Sequence, residues 1–363
     1  MQGTYFTRKT YNIHMEKDRL SYLPDPIRDH IVSFLPTKDA IRTSILSRQW
    51  ENVCSSLSNM EFNKATFKQT DHKVVHFRNS IDRLLFRHDG SDIRRFSLKT
   101  GLLKKFQKFP SSFYTCSSLT VLSLISIKFK CPSFVQFPML KSFHLEDVSF
   151  LENNTINKLV SSCTCPVLEE LEITFCDLST IKSLSISIPS LKYLKLLEWN
   201  CSLKRAPTIS SETLLSLVTA YFEFTCSLED EAAKDFLIIN RKIVEGLHNV
   251  QELGLYDNFI EKEPPCLNIN NTEEYLQCKE LPSADILNCL RTVKIKDFEG
   301  SEGELELLRY LLQNAKHLEM VYIIPLGAEQ IDVVNQLSTS ERVAPNVTIN
   351  WIKPEEDDDL CCH

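Results

Sequence analysis

Histidine and cysteine side chains are the residues of this chain that could bind a metal ion. His72 and His76 stand four residues apart, so on a helix they would share one face. With no adjoining cysteine or acidic third ligand, a solvated pair is the favoured interpretation. Cys163-x-Cys165 and the terminal run 361–363 (Cys-Cys-His) are the other candidates, but neither is matched by a second ligand pair at zinc-site spacing. We therefore predict no metal site.

Catalytic motifs are absent from the sequence. It contains no G-x-G-x-x-G, no G-x-x-x-x-G-K, no G-x-S-x-G and no H-E-x-x-H. Glycine is scarce at 8 residues, which disfavours the loops that bind phosphate groups. We predict that the protein is not an enzyme and uses no cofactor.

The 13 cysteines indicate a reducing environment rather than a disulfide framework. They are odd in number, scattered, and mostly set in apolar segments, as at Cys116, Cys176 and Cys289. No Cys-x-x-Cys pair occurs. Buried reduced cysteine behaves as a small apolar residue, and such use is typical of the cytosol and nucleus. We expect a cytoplasmic and/or nuclear protein.

Length, charge and hydropathy exclude several classes of protein. At 363 residues the chain is long enough for two or three domains, and its composition is that of a globular protein. A net charge of -7, with no basic stripe interleaved with aromatics, argues against nucleic acid as a partner. No apolar stretch approaches the roughly 18 residues that a membrane span requires.

Residues 18–57 have the periodicity of short helices. Leu23, Ile27, Ile31 and the pair Phe34-Leu35 form one apolar stripe. Prolines at 24 and 26 suit a helix start, and Pro36 ends the helix because it lacks a backbone donor.

A second helix is predicted to follow Pro36. Thr37 stands where an N-cap is wanted, and Asp39 would interact favourably with the helix dipole. Ile41, Ile45, Leu46, Trp50 and Val53 then continue the apolar pattern.

Two helices of this length cannot bury all of these side chains. About ten are present, and each is worth about 1.5–3 kcal/mol when fully buried. The surplus must be covered either by the rest of the chain or by a partner protein, and the helical pattern leaves both possibilities open.

The same residues resemble the F-box of plant F-box/leucine-rich-repeat proteins. The similar blocks are Leu23-Pro24-Asp25, Ser33-Phe34-Leu35-Pro36-Thr37-Lys38-Asp39-Ala40 and Arg42-Thr43-Ser44-Ile45-Leu46-Ser47-Arg48, followed by Trp50. The resemblance implies a small helical module that binds a Skp-type adaptor and, through it, a cullin. Carried over by position, the core and docking face would consist of Leu23, Pro24, Ile27, Ile31, Leu35, Ile45, Leu46 and Trp50.

The sequence departs from that family at Cys54. The family has a second tryptophan there, and a cysteine should weaken the packing of the last turn by about 3–5 kcal/mol if the position is fully buried. This departure keeps open an alternative: a leucine-rich-repeat scaffold with a degenerate F-box that is not coupled to ubiquitination.

From residue 91 onward the pattern L-x-x-L-x-L recurs, with apolar substitutes. Its first five copies begin 21 to 28 residues apart, the period of leucine-rich repeats. In each copy the last two apolar residues would point inward from a short strand. A weaker copy is predicted at Leu214/Leu217/Thr219. The clear copies are Ile93/Phe96/Leu98, Leu119/Leu122/Leu124, Leu140/Phe143/Leu145, Leu168/Leu171/Ile173, Leu191/Leu194/Leu196, Val250/Leu253/Leu255, Leu290/Val293/Ile295 and Leu318/Val321/Ile323.

Local blocks extend the resemblance to the repeats and the C-terminal part. Residues 165–171 (CPVLEEL) are similar to a block of the plant repeats, and residues 289–315 resemble the FBD domain. Within the latter, an amphipathic helix between two strands would close the last coil, as solenoids require. Its predicted apolar stripe is Leu305, Leu308, Leu311 and Leu312.

These patterns predict an α/β protein: a small N-terminal helical F-box, then a leucine-rich-repeat solenoid of parallel strands, capped by an FBD-like αβ unit. The predicted boundaries are a disordered extension at 1–14, the F-box at 15–60, a linker at 61–90, repeats at 91–280, the cap at 281–352 and an acidic tail at 353–363.

The resemblance implies that the protein is the substrate-recognition adaptor of an SCF (Skp–cullin–F-box) ubiquitin ligase. The substrate would be a protein of unknown identity that binds the concave strand face, where the exposed positions carry mixed charge. Neither nucleic acid nor a membrane is an expected partner. The predicted substrate-binding residues are Ser142, His144, Glu170, Glu172, Tyr193 and Lys195.

Overall fold

A helical unit at the N-terminus leads directly into a large parallel sheet. The computed structural model describes residues 20, 22–63, 81, 85, 92–100, 105–107, 109, 111–130, 132–152, 155–177, 184–200, 208–209, 216–225, 247–256, 287–300, 302–326 and 347–352. His72, His76 and the terminal run 361–363, which were considered as metal ligands, lie outside these residues.

Residues 25–55 form three short helices, which we call the hook: α1 (Asp25–Ser33), α2 (Thr37–Thr43) and α3 (Arg48–Ser55). Proline begins the first of them, with Pro24 at the N-cap and Pro26 in the first turn. The prediction of one continuous second helix was wrong, because a turn at residues 44–46 separates α2 from α3. Thr37 is the first helical residue of α2 rather than its N-cap, a position taken by Pro36.

Strands then recur along the described chain. In chain order they are β1 (Asn59–Asn63), β2 (Arg95–Lys99), β3 (Lys105–Gln107), β4 (Val121–Ile125), β5 (Ile127–Phe129), β6 (Ser142–Glu146), β7 (Ser149–Phe150), β8 (Glu170–Thr174), β9 (Ser185–Ile186), β10 (Tyr193–Asn200), β11 (Thr208–Ile209), β12 (Thr219–Thr225), β13 (Glu252–Tyr256), β14 (Thr292–Phe298), β15 (Met320–Pro325) and β16 (Thr348–Trp351).

Eleven of the described strands form one sheet in the order β1-β2-β4-β6-β8-β10-β12-β13-β14-β15-β16, and every pairing is parallel. Strand neighbours follow chain order, as expected when each coil of a solenoid stacks on the previous one. Shorter parallel pairings, β3-β5-β7 and β9-β11, form outside this sheet. The predicted α/β class and solenoid are confirmed.

The register of the sheet aligns the predicted inward residues. Phe96 pairs with Leu122, and Leu122 with Phe143, so the second apolar residues of successive copies lie side by side. The inward residues of all eight clear copies are buried, in one continuous core cluster. Burial of these side chains, rather than any chemistry, explains the repeat.

The ninth, weaker copy was predicted in the wrong frame. Leu194 pairs with Ala220 and Leu196 with Phe222, so the copy is Leu217/Ala220/Phe222 rather than Leu214/Leu217/Thr219. Alanine at an inward position hides the pattern, because it is too small to be recognised as a substitute for leucine. Both Ala220 and Phe222 are fully buried.

The sheet also extends beyond the predicted repeats at both ends. At the N-terminal end, Met60 and Phe62 of β1 are buried and pair with Phe96 and Leu98. At the other end, β16 pairs with β15 and adds a strand near the end of the predicted cap at 281–352. That unit is a β–α–β crossover, in which α5 (Glu302–Asn314) connects β14 to β15.

The predicted apolar stripe of α5 is confirmed. Leu305, Leu308, Leu311 and Leu312 are all buried in the common core. Two further short elements lie between strands of the main sheet: a 3₁₀ turn at Ser111–Thr115 and the helix α4 (Thr155–Leu159).

The hook is joined to the solenoid by packing and by a part-buried hydrogen bond. Val32, Ala40, Trp50 and Val53 of the hook belong to the same core cluster as the strands. The Thr37 hydroxyl accepts a hydrogen bond from the backbone N–H of Glu61 in β1, at 2.7 Å. Because a buried donor left without a partner is costly, this bond fixes α2 against the edge of the sheet.

We expect Thr37→Val to loosen this junction. Valine keeps the shape of threonine but cannot accept the Glu61 N–H, so the free energy of unfolding should fall by about 1–3 kcal/mol. Hydrogen exchange at the Glu61 amide should accelerate by at least tenfold. Thr120→Val is the matched control, since the Thr120 hydroxyl bonds the Arg94 carbonyl at an exposed site and its loss should cost less than about 0.5 kcal/mol. Equal effects of the two substitutions would contradict a special role for the junction.

Candidate functional site

Apolar side chains of the hook are left uncovered by the described part of the chain. The exposed fractions are 84% for Ile45, 73% for Phe34, 62% for Leu46 and 47% for Ile27. Tyr22, immediately before α1, is also exposed. Large apolar groups concentrated in so short a segment mark an interaction surface rather than a solvated one.

Two elements of the hook present these residues. Ile27, Ile31 and Phe34 recur at i, i+4 and i+7, which places them along one face of α1 and its end. Ile45 and Leu46 lie in the turn between α2 and α3, whose backbone is held by hydrogen bonds from their N–H groups to the Arg42 and Thr43 carbonyls. The turn that breaks the predicted helix is therefore what directs two apolar side chains outward.

The eight predicted docking residues divide into surface and core. Pro24, Ile27, Ile45 and Leu46 are exposed, and Leu23, Ile31 and Leu35 are half-buried. Trp50 is buried, so it supports the hook from within. Phe34 was not among the predicted docking residues although it is among the most exposed, and its i+7 spacing from Ile27 was the signal for it.

Cys54 is buried and hydrogen-bonded at the position where the family resemblance implies a tryptophan. It is only 4% exposed, and its Sγ donates a hydrogen bond to the Ala40 carbonyl at 2.8 Å and lies 3.5 Å from the Thr43 hydroxyl. Burial raises the pKa of the thiol, which keeps it protonated as a donor. In this chain α3 packs close enough to α2 for a small side chain to bridge them.

The second surface is the outward sheet face, by which we mean the strand positions that alternate with the buried ones. The six predicted substrate-binding residues all lie there, on three neighbouring strands. Ser142 pairs with Glu170, which pairs with Tyr193. Two residues further along the strands, the second row is His144, Glu172 and Lys195.

Carboxylates surround the histidine of that row. His144 Nε2 lies 3.7 Å from Glu146 Oε2 on its own strand and 3.7 Å from Glu172 Oε2 on the next. Beside the sheet, Glu169 binds Lys192 and Lys141 at 2.7 and 3.1 Å, and these hydrogen bonds lower the pKa of its carboxyl group. Exposed pairs of this kind contribute little stability, so they mainly define the charge of the surface.

An aromatic cluster on the same face was missed by the sequence interpretation. The Tyr193 and Tyr221 rings lie 5.9 Å apart, and the Tyr221 hydroxyl bonds the Glu252 carboxylate. Lys294 Nζ lies 3.0 Å from Glu252 Oε1 and 3.3 Å from the Tyr221 hydroxyl. A Cβ at Gly254 would lie 2.0 Å from the Tyr221 ring, so the ring can occupy this place only because residue 254 is glycine.

Comparison with known proteins agrees with this arrangement. The F-box domain model matches residues 20–62, the model of the LRR repeats of FBD-associated F-box protein At5g56370 matches residues 91–233, and the FBD model matches residues 286–323. In chain order, these matches give an F-box, LRR repeats and an FBD domain.

Similar proteins of Arabidopsis thaliana align with this chain over most of their length. FBD-associated F-box protein At5g56370 is 26% identical, with 87% of this chain and 92% of the relative aligned. F-box/FBD/LRR-repeat protein At5g56420 is 23% identical, with 90% and 97% aligned. The F-box/LRR architecture is that of a protein-interaction adaptor, a type of protein that is typically not an enzyme.

The F-box match covers the hook together with β1, which agrees with the shared core of these elements. No helix in the described residues is long and apolar enough to cross a membrane. Within the same residues, no three histidine, cysteine or acidic side chains come together as a metal site. Cys163 is exposed whereas Cys165 is fully buried, so the Cys-x-Cys pair does not present both thiols on one surface.

We expect Cys54→Trp to destabilise this F-box/LRR protein, although tryptophan is the residue that the family resemblance led us to expect at this position. The position is already filled by contacts with Ala40, so a larger side chain should cost about 1–3 kcal/mol through overpacking. Chemical denaturation of the two forms measures the difference, with Cys54→Ala as the small-side-chain control. A more stable tryptophan variant would show that the site has room to spare.

The two neighbouring cysteines should differ sharply in reactivity. Burial raises the pKa of Cys165 to about 12, so at pH 8 only about one molecule in 10⁴ carries the thiolate that reacts. Iodoacetamide should therefore modify exposed Cys163 in the native protein and Cys165 only after unfolding. Peptide mass mapping before and after urea treatment measures both.

Because the folded-state pKa of Cys165 lies above its usual value near 9, its contribution to stability is full below pH 9 and is lost as pH rises toward 12.

Proposed function

We propose that this protein is the substrate-recognition adaptor of an SCF ubiquitin ligase. Its F-box binds a Skp-type adaptor, which connects it to a cullin, and its repeat solenoid binds a protein substrate. The observation that carries this proposal is the exposure of Ile45, Leu46, Phe34 and Ile27 on a module whose other apolar residues share the solenoid core.

The sequence left open a second possibility, that the protein's own solenoid covers these side chains. Ile31 and Leu35 do pack against the common core, but the four residues named above remain open to solvent in the described chain. Covering a Leu, Ile or Phe side chain fully is worth about 1.5–3 kcal/mol. Four such side chains are enough to offset the entropic cost of association when the partner surface is complementary.

The outward sheet face supports the substrate half of the proposal. Its charges are mixed, with carboxylates over β6 and β8 and lysines at Lys195, Lys294 and Lys296. A surface of this kind suits a protein partner better than the uniformly negative backbone of a nucleic acid. Neither a nucleic acid nor a membrane forms part of the proposed function.

Ubiquitin transfer is assigned to other subunits of the complex, so this chain acts by bringing the substrate close. We place this activity in the cytosol and/or the nucleus. None of the cysteines that the structure describes is in a disulfide, and buried thiols such as Cys165 suit a reducing compartment.

The alternative of a degenerate F-box was motivated by Cys54 and by the residues that follow Trp50. Cys54 is buried and bonded to Ala40. The docking side chains lie on α1 and on the turn at 44–46, and Cys54 of α3 lies beside the start of that turn, 3.5 Å from the Thr43 hydroxyl. This alternative predicts that no cullin enters the adaptor complex, which the reconstitution described below tests.

We expect the double substitution Ile45→Gln/Leu46→Gln to abolish adaptor binding without unfolding the protein. Both side chains are exposed, so glutamine leaves the core intact, whereas a complex would lose about 1.5–3 kcal/mol for each. The dissociation constant for the Skp-type adaptor should rise by about 10²–10⁴-fold. Isothermal titration with purified adaptor gives this value, and the thermal midpoint of the free protein should stay unchanged.

Leu326→Gln is the matched control, because Leu326 is similarly exposed but lies at the end of β15, outside the hook. It should bind the adaptor like the parent protein. Reconstitution with cullin, RING subunit and ubiquitin-loaded conjugating enzyme then tests the ligase itself. A parent protein that binds the adaptor but recruits no cullin would leave only the scaffold role, and equal adaptor binding by the hook variant would refute the docking face.

A further inference from the structure

One residue at the end of β8 is in an unfavourable backbone conformation. Ser126, Asp147 and Phe175 each follow a strand of the main sheet, and each has a φ between 53° and 55°. In all three, the N–H donates to a carbonyl of the next strand, so the left-handed turn is a repeated structural feature. Serine and aspartate suit such a turn, but a bulky aromatic residue there is a genuine outlier.

Phe175 is only partly buried. Its side chain is 47% exposed, although its neighbours Thr174 and Cys176 are buried. A residue that strains the backbone without filling the core is most simply explained by contact with something outside the chain. Exposed aromatic residues are also the side chains that contribute most to binding at protein interfaces.

The surroundings of Phe175 define the chemistry of what it contacts. It follows directly on β8, whose outward residues are Glu170 and Glu172, and Glu146 lies on the adjoining strand β6. At the other end of these strands, Tyr193 pairs with Glu170 and lies against Tyr221. Among the outward side chains that the structure describes on β6, β8, β10 and β12, Glu146, Glu170 and Glu172 carry carboxylates and Lys195 carries an ammonium group, so negative charge predominates.

Aromatic rings beside carboxylates suit a cationic side chain. A guanidinium or ammonium group can lie on a ring face while its charge pairs with a carboxylate. The Tyr221 ring, which depends on the space at Gly254, adds a fixed platform beside Tyr193. Five residues of strand span about 17 Å, so the surface from Tyr193 to the Phe175 rim accommodates about five residues of extended peptide.

We propose that the outward sheet face over β6, β8, β10 and β12, with Phe175 at its rim, binds a basic segment of the substrate protein. Arginine or lysine side chains of that segment pair with Glu146, Glu170 and Glu172 and pack on the Phe175 and Tyr193 rings. This inference rests on the proposed function, since it names the class of substrate segment that the solenoid takes.

The test uses the full chain and an array of random twelve-residue peptides, followed by fluorescence anisotropy with the best-bound peptides. We expect the bound set to be enriched in arginine and lysine and depleted in aspartate and glutamate. Affinity should fall as salt concentration rises, because the pairing is electrostatic. An acidic or purely apolar consensus, or no peptide binding, would overturn the proposal.

Two variants distinguish the roles of charge and ring. The double substitution Glu170→Gln/Glu172→Gln should weaken binding of the basic peptides at least tenfold. Its control is Glu51→Gln/Glu61→Gln, which changes the net charge equally at exposed sites on α3 and β1. The control should change the affinity less than twofold. Phe175→Asn should weaken binding at least fivefold while leaving the thermal midpoint unchanged or raised, because asparagine tolerates the left-handed conformation. Phe134→Asn, which removes an exposed phenylalanine from a loop away from this face, is its control.

A Phe175→Asn variant that loses stability and keeps its peptide affinity would show that the ring is merely structural and would sink the proposal. Adaptor binding, measured on the same variants, should be unaffected. Loss of peptide specificity with normal adaptor binding therefore disproves only this inference, whereas loss of adaptor binding by the parent protein disproves the ligase role.

Discussion

Backbone hydrogen bonding between parallel strands is the interaction on which this structure depends, because each strand completes the ladder of the strand before it. Such bonding aligns the corresponding residues of successive repeat copies, so Phe96, Leu122 and Phe143 form one row of the core. A single strand could neither satisfy its backbone groups nor bury its apolar pair. Two consequences follow from the same register: the inward residues must be apolar, and the outward residues are free to carry any chemistry.

The inward residues of the strands could be predicted from the sequence, because a leucine, isoleucine or phenylalanine at every second position is a clear signal. The copies that failed did so for definite physical reasons. Ala220 is inward but too small to mark the pattern. Met60 lies in β1, which begins at Asn59 soon after α3 ends, across the boundary between the predicted F-box and the predicted linker. The break between α2 and α3 could not be predicted, because the turn at residues 44–46 contains neither proline nor glycine.

The outward half was only partly predictable. Alternation along known strands placed Glu170, Glu172, Tyr193 and Lys195 on one surface, as the structure shows. Tyr221 could not be placed, because its strand was out of frame and its position depends on the absence of a side chain at Gly254. The left-handed conformation of Phe175 has no sequence signal either, since the pattern of the repeat normally selects residues such as Asp147 there.

The junction between hook and solenoid connects the two proposed activities. An F-box held by a flexible linker would present a substrate to the ligase at many distances and angles. Here the hook shares its core with β1, and the Thr37 hydroxyl binds the backbone of that strand at Glu61, so the first coil is in effect part of both modules. Because later strands stack on β1 in fixed register, the outward face has a defined placement relative to Ile45 and Leu46. Under the proposed function, this rigid stacking fixes the distance and angle at which a substrate bound to the outward face is presented to the ligase subunits.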